Sequence, residues 1–222
     1  MHLLVSSDYY MNLENLWRGY PHLELDFYFK TYYLVQMSYW LQQMYFVQIE
    51  VRRKDYLNMI SHHVITNSLV VFSYITNYTR VGHVMLVLMD FADIFLSTAK
   101  VLNYLRLKLI CDITFTIFFI SWIASRHIGF GMVMWSIMFD PEKVNPNEKW
   151  DPKNGIFYTS NTRRFFLVLL TALQILMFVW LWMILRVLIK VIVGTGAEDV
   201  RSSDEDDDVE HETKVLNEKK KA

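Results

Sequence analysis

The sequence predicts an all-α polytopic membrane protein, on three observations. Of its 222 residues, 53% are hydrophobic and 16% aromatic. Apolar runs recur at about the 20 residues that a helix needs to cross a bilayer. Short connections carrying Arg, Lys or Pro separate them. The runs are read as five spans, at about 27–49, 57–78, 83–104, 107–139 and 165–193, forming a bundle of transmembrane helices. The net charge of −1 hides a strongly charged tail and says little about partners; no nucleic-acid partner is expected.

Residues 1–26 lack a basic stretch followed by a clean apolar core, so they read as an N-terminal lumenal segment rather than a signal peptide. The first span, Phe27 to Ile49, ends at a cationic connection, Arg52-Arg53-Lys54. The second and third spans meet at a connection whose one cation is Arg80, whereas Lys100, Arg106 and Lys108 lie between the third and fourth. The fourth is expected as one long tilted or bent helix, since Arg126, His127, Gly129 and Gly131 interrupt its apolarity without ending it. The stretch DPEKVNPNEKWDPKNGIFYTSNTRR holds three of the four prolines and reads as a loop. The fifth span is the most continuous.

The positive-inside rule places both cationic connections and the C-terminus in the cytosol. The terminal KKKA has the form of a cytosolic dilysine signal for retrieval to the endoplasmic reticulum, so the expected location is that membrane. Residues 194–222 read as an acidic disordered tail. Within it Ser202 and Ser203 precede Glu205 and Asp206 by three positions, which suits regulatory phosphorylation by an acidophilic kinase. Asn77-Tyr78-Thr79 forms a glycosylation sequon, expected to be unmodified because it abuts the membrane.

Candidate chemistry lies in the second and third spans, where His62-His63 and the Asp90-Phe-Ala-Asp93 pair interrupt segments otherwise suited to lipid. A titratable group in hydrocarbon is costly and marks a functional hypothesis with a partner to be named. His62 stands about 7 Å from one end of its helix and Asp93 roughly 10 Å from the same surface, at ~1.5 Å per residue, so antiparallel neighbours bring them to one depth. Asp90 and Asp93, three apart, share a face. A carboxylate that holds an imidazole in one tautomer frees its other nitrogen as nucleophile or base, which is the requirement of acyl transfer. The bland reading makes these groups interhelical hydrogen-bond partners. A proton relay is a third use. No metal is expected, because adjacent histidines on a helix diverge by about 100°, unlike the i, i+4 spacing that serves one ion.

The block HHVIT…SYITNYTRVGHVMLVLMDFADIFLSTAKVLNY resembles the signature of the longevity-assurance ceramide synthases, within the wider group of TLC-domain membrane proteins. The likeness extends through YPHLEL, YYLVQMSYWLQQ, EVRRKD and FISWIASRHIGFG, and its flanks are similar to fungal members. It implies a TLC-type helical barrel over residues 27–193 and transfer of a fatty acyl group from acyl-CoA to the amine of a sphingoid long-chain base such as sphinganine or phytosphingosine, giving a ceramide. Acyl-CoA is then a co-substrate and no cofactor is expected. Carried over by the resemblance, His62, His63, Asp90 and Asp93 are the catalytic positions, with His62 either an acyl-imidazole-forming nucleophile or, like His63, a general base. Asp93 is expected to orient or activate the imidazole, and Asp90 to lie deeper. Arg52, Arg53, Lys54, Arg106 and Lys108 stand where CoA phosphates would dock. By helical rise Arg126 and His127 fall near the lumenal side, away from CoA. The resemblance also implies membrane lipids, a small single-span accessory subunit and a homologous synthase subunit as partners, and two further spans ahead of Phe27, so an N-terminally truncated chain is expected. The alternative is a non-enzymatic TLC-domain protein acting in lipid sensing, transport or translocation.

Overall fold

The computed structural model describes residues 2–50, 55–145, 147 and 149–192. A short α1 (His2–Val5) and a 3-10 turn (Leu13–Leu16) precede the long helices α2 (Phe27–Ile49), α3 (Tyr56–Ile75) and α4 (Thr79–Tyr104). Then come α5 (Lys108–Ile123), a π-helical turn (Ala124–Gly129), α6 (Phe130–Val144), the strands β1 (Lys149–Asp151) and β2 (Ile156–Tyr158), and α7 (Ser160–Ile192).

Local chemistry sets these boundaries. α2 begins where Asp26 caps it, its carboxylate accepting from the Tyr28 amide at 3.0 Å. α3 closes in a left-handed turn: Asn77 has φ 60°, Tyr78 N–H reaches back to the Ser73 carbonyl at 2.8 Å, and Asn77 N–H reaches that of Tyr74 at 3.3 Å. The α4 terminus repeats the motif, with Arg106 at φ 58° and bonds from Leu107 to Leu102 and from Arg106 to Asn103.

α5, the π turn and α6 form one continuous run of 37 residues, Lys108–Val144. At ~1.5 Å per residue this is about 55 Å, well beyond the roughly 30 Å of a hydrocarbon core. Among the described residues, this run and Ser160–Ile189 of α7 are long and apolar enough to cross a membrane. The interiors of α2, α3 and α4 carry Gln36, the two histidines, Asn67 and the two aspartates, which dilute their apolarity.

The stretch expected as a loop after the fourth span is partly structured. α6 runs through Pro141 to Val144, although the proline forfeits the bond to the Ile137 carbonyl. Antiparallel β1 and β2 follow, pairing Trp150 with Phe157, and their turn closes at Gly155 with φ 70°. This hairpin and residues 2–25 cover one end of the helices. Trp17 donates to Ser136 Oγ at 3.0 Å, Tyr20 Oη donates to the Thr76 carbonyl at 2.7 Å and accepts from Phe157 N–H at 3.0 Å, and Tyr9 Oη lies 2.7 Å from His83 Nδ1. Leu16, Trp17, Tyr78, Phe130, Ile137 and Phe166 form the core beneath. At the same end the Asn77 amide donates to the Gly155 carbonyl at 2.9 Å and Thr79 is fully buried, so both outer positions of the sequon are engaged in packing.

Candidate active site

The site is built where α2, α3, α4, the π turn and α7 converge. His62 and His63 lie in the second turn of α3, both buried, with ring centroids 5.4 Å apart. Trp40 from α2 packs against both imidazoles, at 5.6 Å from His62 and 5.7 Å from His63, and Trp180 from α7 meets His62 edge-on at 5.1 Å. The Asn67 amide ties the two helices by donating to the Trp40 carbonyl at 3.1 Å and the His63 carbonyl at 2.8 Å. Aromatic walls thus fix the imidazoles, and Nδ1 of each has no hydrogen-bond partner.

Asp93 and Arg126 complete the polar side. The Arg126 guanidinium donates to Asp93 Oδ1 at 2.7 Å and to the Met89 carbonyl at 2.8 Å, and lies 4.3 Å from the centre of the Trp122 ring. The Arg126 side chain is 6% exposed and that of Asp93 48%. Asp90 instead accepts from Gln36 of α2. The carboxylate–imidazole hydrogen bond expected from the sequence is therefore not among the described ones: a cation holds one aspartate and an amide the other.

Arg126, expected from helical rise near the lumenal side and left there without a role, donates to Asp93. Its long side chain reaches back along α4 from the π turn. The same turn sends the next residue, His127, to α7, where Nδ1 lies 2.7 Å from Gln174 Nε2 and the ring stacks on Phe178 at 4.6 Å.

His62, Asp93, Arg126, Thr66 and Trp40 share the wall of a cavity of about 90 Å³. The remaining wall is mostly apolar, from Met85 and Met89 through Phe130 and Phe166 to Leu170 and Leu173, with Ser73 among it. Tyr78, Val81 and Ile137 also line it. Three of the four catalytic positions carried over from the sequence lie about this centre, with His63 beside His62, while Asp90 braces α4 against α2. Arg106 and Lys108 are exposed in the α4–α5 turn, at the end of the bundle where α3 also begins. Arg52, Arg53, Lys54, Ser202, Ser203 and the terminal lysines lie outside the described residues.

Sequence reading passed over Trp40, Trp180 and Gln36, which carry no signal inside apolar, aromatic-rich runs. Arg126 did carry one: an ionised residue within a hydrophobic run calls for a counter-charge.

The profile of the TLC domain matches residues 1–186. The chain is 37% identical over 210 residues to the sphingosine N-acyltransferase lag1 of Schizosaccharomyces pombe, an alignment covering 95% of this chain and 54% of that protein. It is 35% identical over 237 residues to the ceramide synthase FUM18 of Gibberella moniliformis, covering 96% and 56%. To ceramide synthase 5 of Homo sapiens it is 30% identical over 214 residues, covering 93% and 51%. The chain spans about half the length of the curated relatives it matches.

Proposed function

The chain belongs to the TLC-domain family, and from that premise we propose that it is a ceramide synthase, transferring a fatty acyl group from acyl-CoA to the amine of a sphingoid long-chain base. The observation that carries the reading is the cavity wall on which His62, Asp93 and Arg126 meet, bordered by Trp40 and a largely apolar lining. An imidazole in such a place attacks a thioester, and the names of the relatives supply the acyl acceptor, a sphingoid base. At about 90 Å³ the cavity is smaller than the roughly 150 Å³ that admits a benzene, so it takes the reacting ends of its substrates rather than whole lipids.

In the proposed reaction His62 attacks the thioester carbonyl carbon and the C–S bond breaks, releasing CoA. The amine of the long-chain base then attacks the acyl-imidazole, and the proton it loses leaves with CoA, giving amide and free thiol. The competing route uses His62 or His63 as general base for direct attack by the amine. In either route Asp93 acts through Arg126, and Asp90 positions α4. α2 to α4 complete five spans of a TLC-type barrel in the endoplasmic reticulum membrane, with the cationic turns and the C-terminus cytosolic, so that Arg106, Lys108 and Arg52 to Lys54 face the CoA phosphates. A single-span accessory subunit and a second synthase subunit are proposed partners.

The test is amide formation by the purified chain in lipid vesicles, supplied with sphinganine and acyl-CoAs of several lengths. Wild type is expected to yield ceramide, and His62→Ala to lose roughly 10²–10⁴-fold in rate, the usual reach of one acid–base or nucleophilic group. A fatty-acyl adduct on His62 in the mass spectrum selects the covalent route. A folded protein that makes no amide would sink the proposal.

A further inference from the structure

We infer that Thr66 and Arg126 form the oxyanion site for the acyl transfer centred on His62. This rests on the reading of the site as an acyltransferase but not on which nucleophile attacks. Whether imidazole or amine adds to the thioester, the carbonyl π electrons move to oxygen, and that anion must be held in a cavity with little water. When it collapses, the C=O bond re-forms and the CoA thiolate leaves with its electron pair. Donors aimed at that oxygen are therefore required, and they must be free beforehand.

Thr66 is free beforehand and stands on the cavity wall. It lies one helical turn beyond His62 on the same face of α3, lines the cavity, is 7% exposed, and its Oγ1 has no hydrogen-bond partner. That freedom is unusual in this molecule. Thr31, Ser38, Ser68, Thr76, Thr98, Thr114, Thr116, Ser125 and Thr171 all turn their hydroxyls back onto the carbonyl four residues earlier. A helical threonine has that bond available by default, yet Thr66, a residue of the cavity wall, leaves it unmade. Arg126 offers the second donor. Its Nε is buried without a partner, although the other arm of the same guanidinium is occupied by Asp93 and the Met89 carbonyl, so the cation is already fixed in place. The π turn that carries Arg126 is a further sign of a residue re-aimed for function.

Two readouts on the full chain, both with palmitoyl-CoA and sphinganine present, test the pair: thiol release and amide formation. Thr66→Val keeps the shape and removes the donor. It is expected to lower kcat in both assays by about 10²–10³-fold, the loss typical of one oxyanion donor, with KM for palmitoyl-CoA little changed. Thr66→Ser restores the hydroxyl and is expected to remain within a few-fold of wild type, and an unchanged melting temperature in both variants separates catalysis from folding. Arg126→Gln is expected to lose kcat as well, with Arg126→Lys recovering only part. Amide formation by Thr66→Val at the wild-type rate overturns the inference while leaving the ceramide synthase reading intact, as does a loss confined to Trp40→Phe. Thiol release that depends on Thr66 without any amide product supports the inference and sinks that reading. No thiol release by the folded wild type overturns both.

Discussion

At the scale of single residues, the most constrained position is Gly82 on α4. A Cβ there would stand 2.0 Å from Tyr33 Oη, 2.9 Å from Ser73 Oγ and 3.0 Å from Tyr33 Cζ. Tyr33 is fully buried and its hydroxyl is hydrogen-bonded to Ser73, so neither side chain can yield without breaking that bond. Gly82→Ala is therefore expected to destabilise the fold by about 1–3 kcal/mol, as overpacking does. Tyr33→Phe removes the colliding oxygen, so the double variant should cost clearly less than the sum of the two. Additive losses in thermal melts would contradict the geometry. The same scale shows what a sequence discloses. His62, His63, Asp90 and Asp93 stood out because polar groups in apolar segments are rare. Trp40 and Trp180, which hold the imidazoles, did not, since an inward tryptophan and a lipid-facing one read alike. Asp93's partner was misjudged because depth was counted at the backbone, whereas an arginine head sits far from its own Cα.

At the scale of elements, the helical class was legible from run lengths, and Asp26 is a recognisable start signal and Asn77 a recognisable stop signal. The extension of α6 through Pro141 and the β hairpin were not, because prolines in sequence mark a break without saying which bonds remain. The α4 terminus carries a different kind of information. Arg106 occupies a left-handed position where glycine is preferred, and for a residue with a Cβ this conformation costs about 1 kcal/mol or more. Retaining an exposed arginine in that conformation is explained if its charge is used, as the proposed contact with CoA phosphate requires. Arg106→Gly is thus expected to raise the melting temperature while raising KM for acyl-CoA several-fold. A variant that is stabilised with unchanged KM would remove Arg106 from the CoA site.

At the scale of the whole molecule, the cover over one end of the helices depends on contacts distant in sequence. Tyr20 joins residues 56 and 137 positions away, and Arg80 binds Asp8 at 3.2 Å and the Asn15 carbonyl at 2.7 Å. No local pattern announces such contacts, which is why residues 1–26 read only as a segment outside the bundle. His22 gives this cover a pH dependence. Its Nε2–H donates to the Arg18 carbonyl at 3.0 Å, and burial pushes its pKa below the ordinary 6.5, with the Arg80 charge adding to the effect and the Asp8 carboxylate opposing it. The unfolded segment takes up a proton near pH 6.5 while the folded one does not, so its stability is fully present above that pH and declines as pH falls through and below it. Hydrogen exchange of the amides of Leu16 to Leu23, corrected for intrinsic rates, should therefore accelerate between pH 7.5 and 5.5 in wild type, to an extent of order several-fold. In His22→Gln, whose side chain cannot take up a proton, the same amides should show a flat profile. A slope that survives in His22→Gln would shift the titration to another group of the cover, and a flat wild-type profile would mean that the histidine is as accessible folded as unfolded.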